Sequence, residues 1–217
     1  MDVNANSVRE LRDKTGAGVM DCKKALAESK GDLEKAALWL REKGIAAAAK
    51  RAGRIASEGS IGAYIHTGGK LGVLVEVNCE SDFVAKTPEF QNLVREIAMQ
   101  IAAQNPRCVR RDELDPGVLE QERQIYASQS AGKPEQVMNK IVEGKLEKFY
   151  KEVVLNEQSW VRDPNRTVSD LIGEYVGKLG EKIEIRRFTR FQLGENLDSK
   201  PADGREPADL TLPGRGC

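Results

Sequence analysis

The chain has one histidine, few aromatic residues (5%) and no excess of charge, its 34 basic side chains being balanced by 34 acidic ones. Each shortage excludes something. A single imidazole, His66, leaves little material for a zinc site or a histidine-based catalytic triad. Zero net charge and a pI near 6.7 argue against a protein that holds phosphates by bulk charge, which needs many unpaired Lys and Arg. No apolar run approaches the roughly 18 residues of a membrane span. The start, Met1 to Asn6, lacks the basic-then-apolar layout of a secretory signal. The four cysteines, Cys22, Cys79, Cys108 and Cys217, are too scattered for a metal site and read as reduced thiols. Neither a metal nor a cofactor is expected, and the reading is a cytoplasmic protein that need not be an enzyme.

What remains is 217 residues, 40% of them hydrophobic. That is enough for one ordinary domain or two small ones, with a core of Leu, Ile, Val and Ala. The patterning predicts an α+β fold. Residues 1–44 read as three short helices. Val8 and Leu11 mark the first, Gly16 and Gly18 break it, and Val19, Cys22 and Leu26 share one face of the second. Asp32 caps a third, whose Leu33, Ala36, Ala37 and Leu40 repeat at helical spacing up to Gly44. Residues 45–57, rich in Ala, Lys and Arg, read as an exposed helical linker that lets the first module move. Lys50, Arg51 and Arg54 there read as a solvated face rather than a nucleic-acid contact.

From 58 to 194 strands and helices mix. Two β-rich runs, 61–65 and 71–77, flank a Gly68-Gly69 turn and predict a hairpin. Thr87 and Pro88 open the clearest helix, whose Phe90, Leu93, Val94, Ile97 and Ile101 form one stripe. Two more helices are expected at 117–130 and 134–155. Another follows Thr167, with Asp170 completing a capping box. Residues 182–193 return to alternation, broken at Arg187 and Phe188. A hairpin plus this late strand predicts a three-stranded antiparallel sheet covered on one face by helices. Residues 195–217, with three prolines and scattered charge, read as a disordered tail whose Cys217 would be exposed.

Candidate chemistry is thin. Gly16 and Gly18 follow a helix and lack the Gly-Lys-Ser/Thr ending of a phosphate loop. His66 has no carboxylate or nucleophile at a recognisable offset. The informative run is CESDFVA, residues 79–85, between a strand and a capped helix. Ser81 and Asp82 form turns readily, while Phe83 and Val84 are apolar in what should be an exposed connection. Phe83 either tucks under the loop and staples strand to helix, or protrudes as an aromatic anchor beside a carboxylate.

Two segments resemble a known family. VRELRDKTGAGVMDCKKAL (8–26) resembles the N-terminal signature of the elongation factor Ts family, and GVLVEVNCESDFVA (72–85) its second signature. The closing EKIEIRRFTRFQL (181–193) is similar to the family's last strand, so the likeness spans about residues 3–194. Ser81 stands where the family usually has Thr, and Val19 where Met is common. The resemblance implies a guanine-nucleotide exchange factor for elongation factor Tu, which makes and breaks no bonds and so is not an enzyme, with a ubiquitin-associated-like module at residues 1–44. It implies that Arg12, Met20 and Lys23 contact the partner, and that Ser81, Asp82, Phe83 and Val84 push on its nucleotide site from the magnesium side. That favours the protruding reading of Phe83. Similarity to the shorter members, which lack a second half, implies a homodimer. Neither nucleic acid nor membrane is expected as a partner. The rival reading is an adaptor that binds a ubiquitin-like partner through the three-helix domain.

Overall fold

A computed structural model describes residues 4–132 and 134–195. The expected tail, with Cys217, lies outside the described residues except for Glu195. The chain opens with α1 (Ala5–Thr15), α2 (Val19–Glu28) and α3 (Leu33–Arg51). Asn4 caps α1 by accepting from the Asn6 N–H, and Asp32 caps α3 by accepting from Glu34 and Lys35. Gly16 ends α1 at φ 66°, a left-handed position that suits glycine, with its N–H returning to the Arg12 carbonyl. The three helices close on Leu11, Cys22, Ala25, Leu26 and Ala36. Such a core is too small for much independent stability.

Support comes from the third helix, and here the sequence expectation is corrected. The third helix does not stop at Gly44: residues 45–51, expected as a separate helical linker, are helical and largely exposed, but they continue α3 to Arg51, and α3 packs along α8 (Val168–Leu179). Ala47 and Ala48 rest on the main core. Gly44 is buried against Gly173, where a β-carbon would come within 2.8 Å of the Gly173 carbonyl oxygen and 3.1 Å of its carbon. Gly177, one turn further along α8, also faces Gly44. The absent side chains let the two backbones approach, so helical spacing continues although no broad apolar stripe is needed. The face that lacks large residues is the contact.

The sheet consists of β1 (Glu58–Ile65), β2 (Leu71–Cys79) and β5 (Ile183–Gln192), antiparallel in the order β1–β2–β5. Gly68 and Gly69 both have positive φ in the β1–β2 turn. The broken rhythm near Arg187 is a β-bulge: Val77 pairs with Ile185 but Glu76 with Arg187, leaving Arg186 as the extra residue. Beyond it Phe188 returns to the register of Val75, on the core side.

Val73, Val75, Val77, Ile183 and Ile185 line the inner face and meet α5 (Pro88–Gln104) and α8. Thr87 caps α5 with Pro88 in its first turn, and Thr167 and Asp170 form the expected capping box on α8. Phe90, Leu93, Ile97 and Ile101 are fully buried, each worth about 1.5–3 kcal/mol of transfer free energy. Between α5 and α8 the chain makes a helix pair, α6 (Pro116–Gln129) and α7 (Glu135–Val153), over a satellite core of Cys108, Leu114, Phe149, Val153 and Val154. A short ladder of β3 (Ser159–Trp160) with β4 (Asp163–Thr167) follows, which sequence reading missed because β3 has only two residues. Buried Gln100 and Gln158 hydrogen-bond each other at 3.2 Å and tie this ladder to α5 through the Ser159 carbonyl.

Candidate partner-binding site

Ser81, Asp82, Phe83 and Val84 lie together on and around a single helical turn, α4 (Asp82–Ala85), between β2 and α5. Four residues cannot stabilise a helix, because nucleation fixes several dihedrals for one hydrogen bond. The turn is held from outside. The Ser81 hydroxyl accepts the Val84 N–H at 3.4 Å, and the Thr87 hydroxyl donates to the Val84 carbonyl at 2.8 Å. The Gln91 side-chain amide donates to the Ala85 carbonyl at 2.7 Å. Ala85 is buried and Val84 packs on the main core. With those residues turned inward, Phe83 points out and is 88% exposed.

The base of the turn is fixed by two carboxylates. Glu181 accepts from the Glu80 and Ser81 N–H groups at 3.1 and 3.0 Å, and from the Ser81 hydroxyl at 2.6 Å. Glu80 reciprocates by accepting the Lys182 N–H at 2.6 Å, which lowers its pKa together with the Arg54 guanidinium 3.2 Å away. The buried Cys79 thiol donates to the Ser81 carbonyl at 3.2 Å. Burial, aided by the nearby Glu181 charge, pushes its pKa up to about 11, so the S–H donor persists at neutral pH. Asp82 pairs with Lys86 at 2.5 Å one turn on, and that hydrogen bond raises the Lys86 pKa. Both groups are exposed, so the pair is screened by water and Asp82 is free to change partners.

The other expected site residues lie on the three-helix unit. Arg12 is exposed in the last turn of α1, and Met20 and Lys23 are exposed on α2. Met20 is 67% exposed beside Val19, which also faces out, opposite the inward Cys22, Ala25 and Leu26. The structure therefore brings Ser81–Val84 together and leaves Arg12, Met20 and Lys23 on a separate surface. A cleft of about 510 Å³ between the three-helix unit, α8 and β4 is lined by Lys14, Arg41, Arg51 and Lys178 among others, but by none of these seven residues. His66 is exposed and lies 3.0 Å from the Tyr64 hydroxyl. Sequence reasoning missed Glu181 and Arg54 as supports of the turn. A separation of 100 residues between Ser81 and Glu181 leaves no local signal.

These features describe an α+β protein that joins a three-helix unit to a helix-covered antiparallel sheet and carries its conspicuous residues on protrusions. A family model described as elongation factor TS matches residues 35–195. Elongation factor Ts of Thermoanaerobacter sp. (strain X514) is 59% identical over 199 residues, covering 91% of this chain and 98% of the relative. That of Carboxydothermus hydrogenoformans is 57% identical over 203 residues, covering 93% and 94%. That of Geobacter sulfurreducens is 54% identical over 205 residues, covering 94% and 95%. The chain belongs to the elongation factor Ts family. It is thus a translation elongation factor, and the family implies elongation factor Tu as its partner.

The expectation that the chain is not an enzyme is corrected by this assignment: a missing catalytic constellation does not decide the question, and what the matches define is an elongation factor of the Ts family. Among the described residues no helix is long and apolar enough to cross a membrane.

Proposed function

We propose that this chain promotes release of GDP from elongation factor Tu by seating Phe83 in a pocket of the partner while Asp82 takes adjacent backbone donors. Displacing the partner's helix there weakens its Mg²⁺ coordination, and GDP, its charge poorly neutralised, leaves so that GTP can bind. The observation that carries this reading is an exposed aromatic ring beside a carboxylate on a turn whose base is fixed. A fixed base reduces the ordering cost of binding, as a hot-spot anchor requires.

Linkage sets the scale. An exchange factor binds the nucleotide-free partner better than the nucleotide-bound one, and the coupling is reciprocal. Weakening the nucleotide by roughly 10⁴ takes about 5.5 kcal/mol of differential binding. One buried Phe supplies about 1.5–3 kcal/mol. The remainder is assigned to Asp82, with Ser81 and Val84 contributing by holding the turn from beneath, and to Arg12, Met20 and Lys23 on the module at residues 1–44, with the core at 58–194 carrying the wedge. The exposed Met20 and Val19 support a docking role for that module.

The same reading makes the protein a cytoplasmic homodimer. Supporting the dimer, the outer face of the sheet exposes Ile61, Ile65, Leu74 and Phe191, an apolar surface unusual for a lone sheet. Release of labelled GDP from purified elongation factor Tu, with and without this chain, tests the exchange role. Unchanged release refutes it. Sedimentation at micromolar concentration tests the pairing, and monomers alone refute that part.

A further inference from the structure

We propose that Glu181 is a positioning residue for exchange: by gripping the Glu80–Ser81 backbone and the Ser81 hydroxyl it presets the Asp82–Phe83 turn in the geometry that enters the partner. The inference deepens the reading above and rests on it.

The turn has little support of its own. Its one-turn helix cannot persist alone: Asp82 is held within it by the exposed Asp82–Lys86 pair and by the Lys86 N–H, which donates to the Asp82 carbonyl at 3.3 Å, both local to the turn. Downstream, Ala85 and Thr87 anchor the exit to the core and to α5. Upstream, the ladder ends at Cys79, whose partner is Ile183, so the Glu80 and Ser81 N–H groups have left the sheet. Glu181 receives both, and one of its oxygens also receives the Ser81 hydroxyl at 2.6 Å. That hydroxyl is the acceptor for the Val84 N–H. A single carboxylate therefore orients the helix cap and the strand exit at once. Hydrogen bonds to an ionised acceptor are the strong kind.

Glu181 is itself well placed for this. It follows Gly180, the left-handed residue that ends α8, and precedes the first residues of β5. The reciprocal Lys182 N–H to Glu80 bond closes the joint from the other side, and the Lys182 ammonium reaches the Arg54 carbonyl at 2.9 Å. Arg54 lies just beyond α3, so the joint gathers three chain segments at the entry to the turn. Such a joint does more than hold a loop to the surface. It removes motion from the two residues that the exchange reading uses, and preorganisation of an anchor is recovered as affinity for the state that accepts it.

The experiment uses the full chain and the variants Glu181→Ala and Glu181→Gln, each alone and combined with Phe83→Ala. Amide hydrogen exchange on the free protein is the first readout. Glu181→Ala is expected to speed exchange at Glu80, Ser81, Val84 and Ala85 at least tenfold while Val75 and Ile97 keep their protection, with Gln, which retains one acceptor oxygen, in between. Equal protection of the turn in wild type and Glu181→Ala overturns the proposal. The second readout is stopped-flow GDP release from elongation factor Tu. Glu181→Ala is expected to slow release about tenfold in the wild-type background and less than twofold when Phe83 is already Ala. An equal fold-loss in both backgrounds means Glu181 acts elsewhere and overturns the proposal. Wild-type release by Phe83→Ala alone refutes the wedge reading instead, and the hydrogen-exchange comparison then decides the joint by itself.

Discussion

Phe83 and Phe90 are the same residue type seven positions apart, and the structure sets opposite expectations for truncating them. Phe90 is fully buried in the core between α5 and the sheet, so Phe90→Ala should cost about 3–5 kcal/mol of folding free energy through lost transfer and the cavity left behind. Phe83 is almost wholly in water, so Phe83→Ala should change stability by no more than about 0.5 kcal/mol. Against elongation factor Tu the order reverses. Burying the ring in a partner pocket is worth about 1.5–3 kcal/mol, which at about 1.4 kcal/mol per decade is roughly a 10- to 150-fold loss of affinity for the nucleotide-free partner. Urea unfolding of both variants gives the first half, and stopped-flow release of labelled GDP with titrated Phe83→Ala gives the second. A Phe83→Ala variant as destabilised as Phe90→Ala would mean that the ring packs within its own subunit. A folded variant with undiminished exchange would remove the ring from the interface.

Two further expectations concern the scaffold. Gly44→Ala gains up to about 1 kcal/mol of helix propensity but drives a methyl to 2.8 Å from the Gly173 carbonyl oxygen, an overpacking of about 1–3 kcal/mol, so the variant should unfold at lower urea. Gly144→Ala, within α7 and facing open space, should unfold at higher urea, and equal shifts for the two would refute the close crossing of α3 and α8. Asp170 gives a pH test. Burial acts to raise its pKa, but the hydrogen bonds from the Thr167 N–H at 2.8 Å and from Arg41 outweigh it and hold the carboxyl below its ordinary 3.8. Because the folded value is depressed, the stabilisation is present above about pH 4 and is lost as pH falls through the folded pKa. Asp170→Asn should cost about 1–2 kcal/mol at pH 7. The gap from wild type should close in acid, and a gap that is constant or widens there would contradict the assignment.

Much of the molecule was legible because it is built from local rules. Thr87 with Pro88, Thr167 with Asp170, and Asp32 announce helix starts through their own side chains, and the alternation of Val73, Val75, Val77 and Cys79 assigns one face of β2 to the core. The signatures at 8–26 and 72–85 likewise contain Met20 and Phe83, apolar residues that both stand exposed.

What sequence alone determined, then, was the kinds and order of most elements, since caps, turns and hydrophobic periods act within a few residues. Whether Phe83 folded inward or stood out was left open by the residues themselves, because either pose satisfies an apolar side chain in a loop. Tertiary structure decided it: Ala85 and Val84 take the inward positions, and Glu181, 100 residues beyond Ser81, holds the entry to the turn. It also made residues 45–51 of the supposed linker the last two turns of α3. A glycine on one helix has meaning only when another backbone arrives opposite it, and Gly173 does so 129 positions later, far beyond the reach of any periodicity.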